Sequence, residues 1–174
     1  NQICHIQELN ISKLAKDIID SFGELAEQNQ IHLETDISPD IIWKSDYSGF
    51  TKILNNLISN AFKYSPENGT IRISIKIEVD KLNIQVYNTG KGICKENIPL
   101  IFNRYSVLDN IQENSIKGLS SRNGLGLAIC QSMVELLQGT IEVKSEIDQY
   151  AQFIVNLPQL EVTEEAEHVL NETP

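Results

Sequence analysis

Between Ile71 and Val86 the chain alternates so strictly that few folds remain open to it. Ile71, Ile73, Ile75 and Ile77 take turns with Arg72, Ser74, Lys76 and Glu78, and after a turn at Asp80–Lys81 the alternation resumes at Leu82, Ile84 and Val86. Successive strand residues point to opposite faces, so this is an antiparallel hairpin with one buried face and one wet face. The buried face needs a cover, and the stretch Asp46–Pro66 (DYSGFTKILNNLISNAFKYSP) can supply it. Phe50, Ile53, Leu54, Leu57, Ile58, Ala61 and Phe62 recur there at helical spacing, Asp46 suits an N-cap and Pro66 stops the ladder.

The remaining elements fall around this pair. Ile3–Glu8 reads as an opening strand. Asn10 or Ser12 can cap a helix running to about Gln28, with Leu14, Ile18, Phe22 and Leu25 inward. Ile31, Leu33 and Thr35 mark a half-buried strand, and Ile41–Trp43 a brief one leading into the Asp46 helix. A short helical piece is expected around Glu96–Ile101, a helix from Gly124 to Gly139, and closing strands over Thr140–Ser145 and Ala151–Leu157. From Asn103 to Arg122 periodicity fails, and a polar loop of that length in a compact domain is usually functional or disordered. The order implies an α+β two-layer sandwich, a mixed sheet covered on one face by helices. One domain is expected over residues 1–158, with residues 1–10 as the entering strand and 159–174 as an acidic linker.

Composition narrows the function classes. The 174 residues carry a formal charge of −10, and Gln159–Pro174 holds five Glu with no Lys or Arg. Nucleic-acid binding through phosphates, which needs a basic face, is not expected. Cys4, Cys94 and Cys130 lack the spacing of a disulfide framework or zinc site. No apolar run is long enough to span a bilayer. The chain begins at Asn1, so an excerpt or processed product is expected.

Three places carry possible chemistry. Lys52, Asn56, Asn60 and Lys63 follow one edge of the Asp46 helix at steps of four, four and three. Asn is a mediocre helix former, and two of them one turn apart beside an apolar arc suit a ligand, although a solvated edge has the same pattern. Asn88–Thr89–Gly90–Lys91–Gly92 follows a strand, where an amide can donate and accept and glycines admit close backbone approach; an ordinary turn is also served. Asn123–Gly124–Leu125–Gly126–Leu127 opens a helix, a natural anion position, and the polar loop before it has the character of a lid.

In this order the three resemble the GHKL (Bergerat) nucleotide-binding superfamily, specifically the catalytic ATP-binding domain of sensor histidine kinases. Asn55–Pro66 resembles its N box, Asn88–Ile93 its G1 box, Ile101–Phe102 with Arg104–Tyr105 its F box, and Asn123–Ile129 its G2 box. The resemblance implies that Asn60, assisted by Asn56, coordinates Mg²⁺ and that Lys63 neutralises phosphate charge. It places Tyr64 beside ATP, Asn88 at the adenine amino group, and Gly90, Gly92 and Ile93 around the adenine pocket. The backbone of Gly124, Leu125, Gly126 and Leu127 would hold phosphates, with Phe102, Arg104, Tyr105, Lys117 and Arg122 as further contacts. It implies transfer of the γ-phosphoryl group to a histidine on adjoining dimerisation helices, then signalling to a receiver domain. The domain would be cytoplasmic, in a homodimeric parent that can be anchored in the inner membrane.

The departures from the family pattern are specific. Asn88 stands where Asp is usual, a form similar to hybrid two-component sensors of the Bacteroides type, and is expected to weaken binding by about 1–2 kcal/mol. Ser121 and Arg122 replace the first glycines of the G2 box. Related ATPases and serine kinases carry a Glu general base where this chain has Asn56, which cannot take a proton at neutral pH. His5, His32 and His168 do not match the phosphoacceptor pattern. A nucleotide-sensing or scaffolding module without kinase activity and a stand-alone GHKL ATPase are the alternatives.

Overall fold

A computed structural model of the chain describes residues 4–103 and 126–163. The alternating hairpin is present as β4 (Thr70–Glu78) and β5 (Lys81–Thr89). With β2 (His32–Ile37), β6 (Thr140–Glu146) and β7 (Tyr150–Leu157) it forms one five-stranded sheet of order β2-β4-β5-β7-β6. β2 runs parallel to β4 and every other pair is antiparallel, so the sheet is mixed. Its register stacks apolar residues in rows across one face. Ile73 pairs with Val86 and Val86 with Phe153, while Ile75, Ile84 and Val155 make the next row. All six are buried. Ile77 departs from the expected pattern. It lies at the hairpin's end, 49% exposed, and the turn itself falls on Val79 and Asp80, both at positive φ, rather than on Asp80–Lys81.

The cover is helical. In α3 (Tyr47–Tyr64) all seven apolar residues of the expected arc are buried, and Asp46 caps the helix by accepting from Gly49 N. The last helix among the described residues, α4 (Gly126–Leu136), packs antiparallel beside it. A Cβ at Gly49 would lie 3.0 Å from Leu137 Cδ1, so the start of α3 meets the far end of α4 closely.

The single N-terminal helix expected to Gln28 is instead two, α1 (Ile11–Asp20), capped by Asn10, and α2 (Gly23–Gln28). The break lets Phe22 stack on Phe62 of α3, with ring centroids 5.6 Å apart. The innermost residues of α1 are Ile11, Ala15 and Ile19, and Leu14 and Ile18 pack at its margin. The opening strand, β1 (Ile6–Asn10), begins three residues later than expected and ends two later, and it pairs antiparallel with β3 (Ile42–Asp46) in a separate two-stranded sheet. The helical piece near residue 98 is a single 3-10 turn, Ile98–Leu100. The packed body continues past Pro158. Leu160 N donates to Lys44 O and Thr163 N to Ile6 O. Among the described residues no helix is long and apolar enough to cross a membrane.

Candidate functional site

The polar edge of α3 lies at the border between core and solvent. Asn60 is only 8% exposed, and its Nδ2 is buried without a hydrogen-bond partner. An amide left this way costs about 1–3 kcal/mol, which marks the position as one that a further hydrogen-bonding group would stabilise. One turn earlier Asn56 is half-buried, as is Lys63 one turn later, whose Nζ lies 5.7 Å from the centroid of the Tyr64 ring. Lys52 is exposed. The antiparallel packing of α4 brings its first described residue to this edge. A Cβ on Gly126 would lie 3.7 Å from Asn56 Oδ1. The amide-bearing edge therefore meets a helix N-terminal end, where backbone N–H groups favour anions. Leu127 turns its side chain into the core.

Across from this edge stands the end of β5. Register puts Asn88 on the covered face of the sheet, between Ile71 and Ala151, where it is 2% exposed. Its Nδ2 donates to Thr89 O at 3.0 Å, which leaves Oδ1 as the group that can accept. The glycines that follow are required by the chain itself. Gly90, at φ +153, has Tyr64 O 2.5 Å from where a Cβ would be, and Gly92, at φ +70, has Glu146 O at 2.4 Å. Gly90 thus seats the loop on the C-terminal end of α3, and Gly92 seats it on the end of β6.

Three hydrogen bonds hold that loop to the β6–β7 hairpin. Gly90 N donates to Gln149 O, Asp148 N to Lys91 O, and Ile93 N to Ser145 Oγ at 2.7 Å. Ser145 Oγ in turn donates to Tyr150 O at 2.8 Å. Reading the sequence alone missed Ser145, which lies 52 residues from its partner. Ile93 is buried, and Phe102 packs edge-on against Phe153, with centroids 6.3 Å apart. Arg104, Tyr105, Lys117, Arg122, Gly124, Leu125 and the stretch expected to act as a lid lie outside the described residues, as does His168.

Among the described residues no group of three or more His, Cys, Asp or Glu is placed to hold a metal. A cation at the α3 edge would be held by amide oxygens together with oxygens that its ligand brings. Mg²⁺, a hard ion that keeps several waters and often shares phosphate oxygens, suits such a sparse set. Rotation about the last torsion of Asn60 exchanges its two amide atoms, so the buried position can present oxygen as readily as nitrogen.

A family model described as "Histidine kinase-, DNA gyrase B-, and HSP90-like ATPase" matches residues 45–161. The sensor histidine kinase YclK of Bacillus subtilis is 32% identical over 159 residues, covering 87% of this chain and 33% of that protein. The chain spans a third or less of the length of the curated relatives it matches. The solved catalytic domain of histidine kinase ThkA, nucleotide-free, superposes with a TM-score of 0.75 at 24% identity, covering 89% of this chain and 96% of that one. Full-length ShkA in complex with AMPPNP gives 0.78 at 21% identity, covering 93% and 33%. ThkA in complex with the response regulator TrrA gives 0.73 at 24% identity, covering 89% and 42%. These likenesses bear out the two-layer fold with its mixed sheet.

Proposed function

Because the chain belongs to the family of histidine kinase-, DNA gyrase B- and HSP90-like ATPases, we propose that it binds MgATP and presents the γ-phosphoryl group to a histidine on adjoining dimerisation helices. The observation that carries this is the meeting of the Asn56–Asn60 edge with the N-terminal end of α4, beside a buried amide that lacks a partner. Asn60 and Asn56 would hold the ion, and Lys63 would offset phosphate charge, with Tyr64 flanking the nucleotide. The backbone at Gly126 and Leu127, continuous with Gly124 and Leu125, would receive phosphate oxygens. Asn88 would accept from the adenine amino group through Oδ1, in a pocket shaped by Gly90 and Gly92. Mg²⁺, when bound, supplies charge neutralisation for the transferring group.

What the protein contributes is position. Asn56 cannot act as a general base. Water held at this edge is therefore not activated by it, and transfer waits on a nucleophile from another domain. The similarity to YclK, and ThkA's occurrence with a response regulator, support a two-component setting in which a receiver domain takes the group onward. A homodimeric parent, with this domain on the cytoplasmic side, is the arrangement we favour.

The test is transfer from labelled ATP to a supplied phosphoacceptor domain. Label is expected on that domain's histidine, with little free phosphate released by the chain alone. Binding without transfer would favour a sensing module, a reading motivated by the neutral Asn88. Rapid phosphate release by the chain alone would favour an ATPase.

A further inference from the structure

We propose that Asp46 is a positioning residue that ties the segment entering the domain to the helix bearing the Asn56–Asn60 edge. Its carboxylate is buried, and both oxygens are engaged. Oδ1 accepts from Gly49 N at 2.6 Å, and Oδ2 accepts from His5 N at 2.8 Å, across 41 residues of sequence. Capping α3 needs only the first bond, for which Ser, Thr or Asn would serve. The second needs another acceptor on the same group, and only a carboxylate offers two acceptor oxygens there.

The segment leaving the domain closes on the same place. Trp43 Nε1 donates to Pro158 O at 3.1 Å, and Lys44 N donates to Gln159 Oε1 at 2.7 Å. Leu160 N donates to Lys44 O, and Thr163 N to Ile6 O. Incoming and outgoing segments therefore both bear on β1 and β3, and β3 runs without a break into α3. A displacement of the residues before Ile6 reaches the first turn of α3 through one charge-assisted hydrogen bond. The meaning of this junction for nucleotide handling rests on the function proposed above; the junction itself does not.

Two substitutions break the link from opposite sides. Asp46→Asn keeps the cap oxygen and the size but turns a donor toward His5 N–H. His5→Pro deletes that N–H and leaves every residue of α3 chemically unchanged. The readout is the amide spectrum of the whole chain by nuclear magnetic resonance. Both variants are expected to shift the resonances of Ser48–Thr51 and of the Asn60 side chain in the same direction, and the double variant is expected to add nothing further. Shifts confined to residues 4–10 in His5→Pro, or independent additive shifts, would overturn the proposal. If the α3 resonances move but the wild-type chain takes up no MgATP, the junction stands and the nucleotide reading falls.

Discussion

At the scale of one residue, the proposed binding role of Asn60 can be separated from stability. Its Nδ2 is buried without a partner, so truncation removes an unmet polar group along with some packing. Ala is also the better helix former. Asn60→Ala is expected to leave the nucleotide-free protein within about 1 kcal/mol of wild type, whereas Phe62→Ala, two residues on and fully buried, should lose about 3–5 kcal/mol. Chemical denaturation measures both; a loss above about 2 kcal/mol in Asn60→Ala would make its amide a structural group instead. Cys130 gives a pH signature. Burial pushes its thiol up from 9.0 to about 12. The unfolded chain therefore loses this proton at a lower pH than the folded one. The stabilisation is complete below pH 9, declines above it, and is gone beyond about pH 12. Cys130→Ala should flatten the alkaline fall of the denaturation midpoint.

At the scale of elements, local periodicity made β4, β5 and α3 legible, because the spacing of apolar residues is itself the signal. What could not be read locally was what distant residues impose. The break between α1 and α2 goes with the stacking of Phe22 on Phe62, a residue 40 positions away. The seating of the Asn88–Gly92 loop depends on Ser145, and Gly90 and Gly92 answer first to carbonyls of α3 and β6. Ser145→Ala is expected to strand the buried Ile93 N–H at a cost of about 1–3 kcal/mol and to weaken nucleotide binding, with Ser145→Thr recovering part of both. Calorimetric unfolding and nucleotide titration test the pair. The β4–β5 turn predicts the opposite sign. Val79 is β-branched, 93% exposed and at φ +49. Val79→Asn, which tolerates that conformation, should stabilise the chain by about 1 kcal/mol in thermal unfolding.

For the molecule as a whole, the sheet and helix layers bring together three stretches that are far apart in sequence. The α3 edge, the end of β5 and the start of α4 were each ambiguous as sequence, since a solvated edge, a turn or a glycine-rich helix start would read the same. The register of β5 put Asn88 on the covered face, and antiparallel helix packing brought Gly126 to Asn56. The residue brought against Gly126 is an amide, Asn56, which cannot take a proton at neutral pH. The function proposed above, a nucleotide held for a partner's nucleophile, rests on this convergence. Calorimetric titration with a non-hydrolysable ATP analogue and Mg²⁺, on wild type and Asn60→Ala, tests this most directly. Saturable binding below millimolar analogue in wild type, lost in a folded Asn60→Ala, is the expected result. No binding by the wild type, or equal affinity in the two proteins, would contradict it.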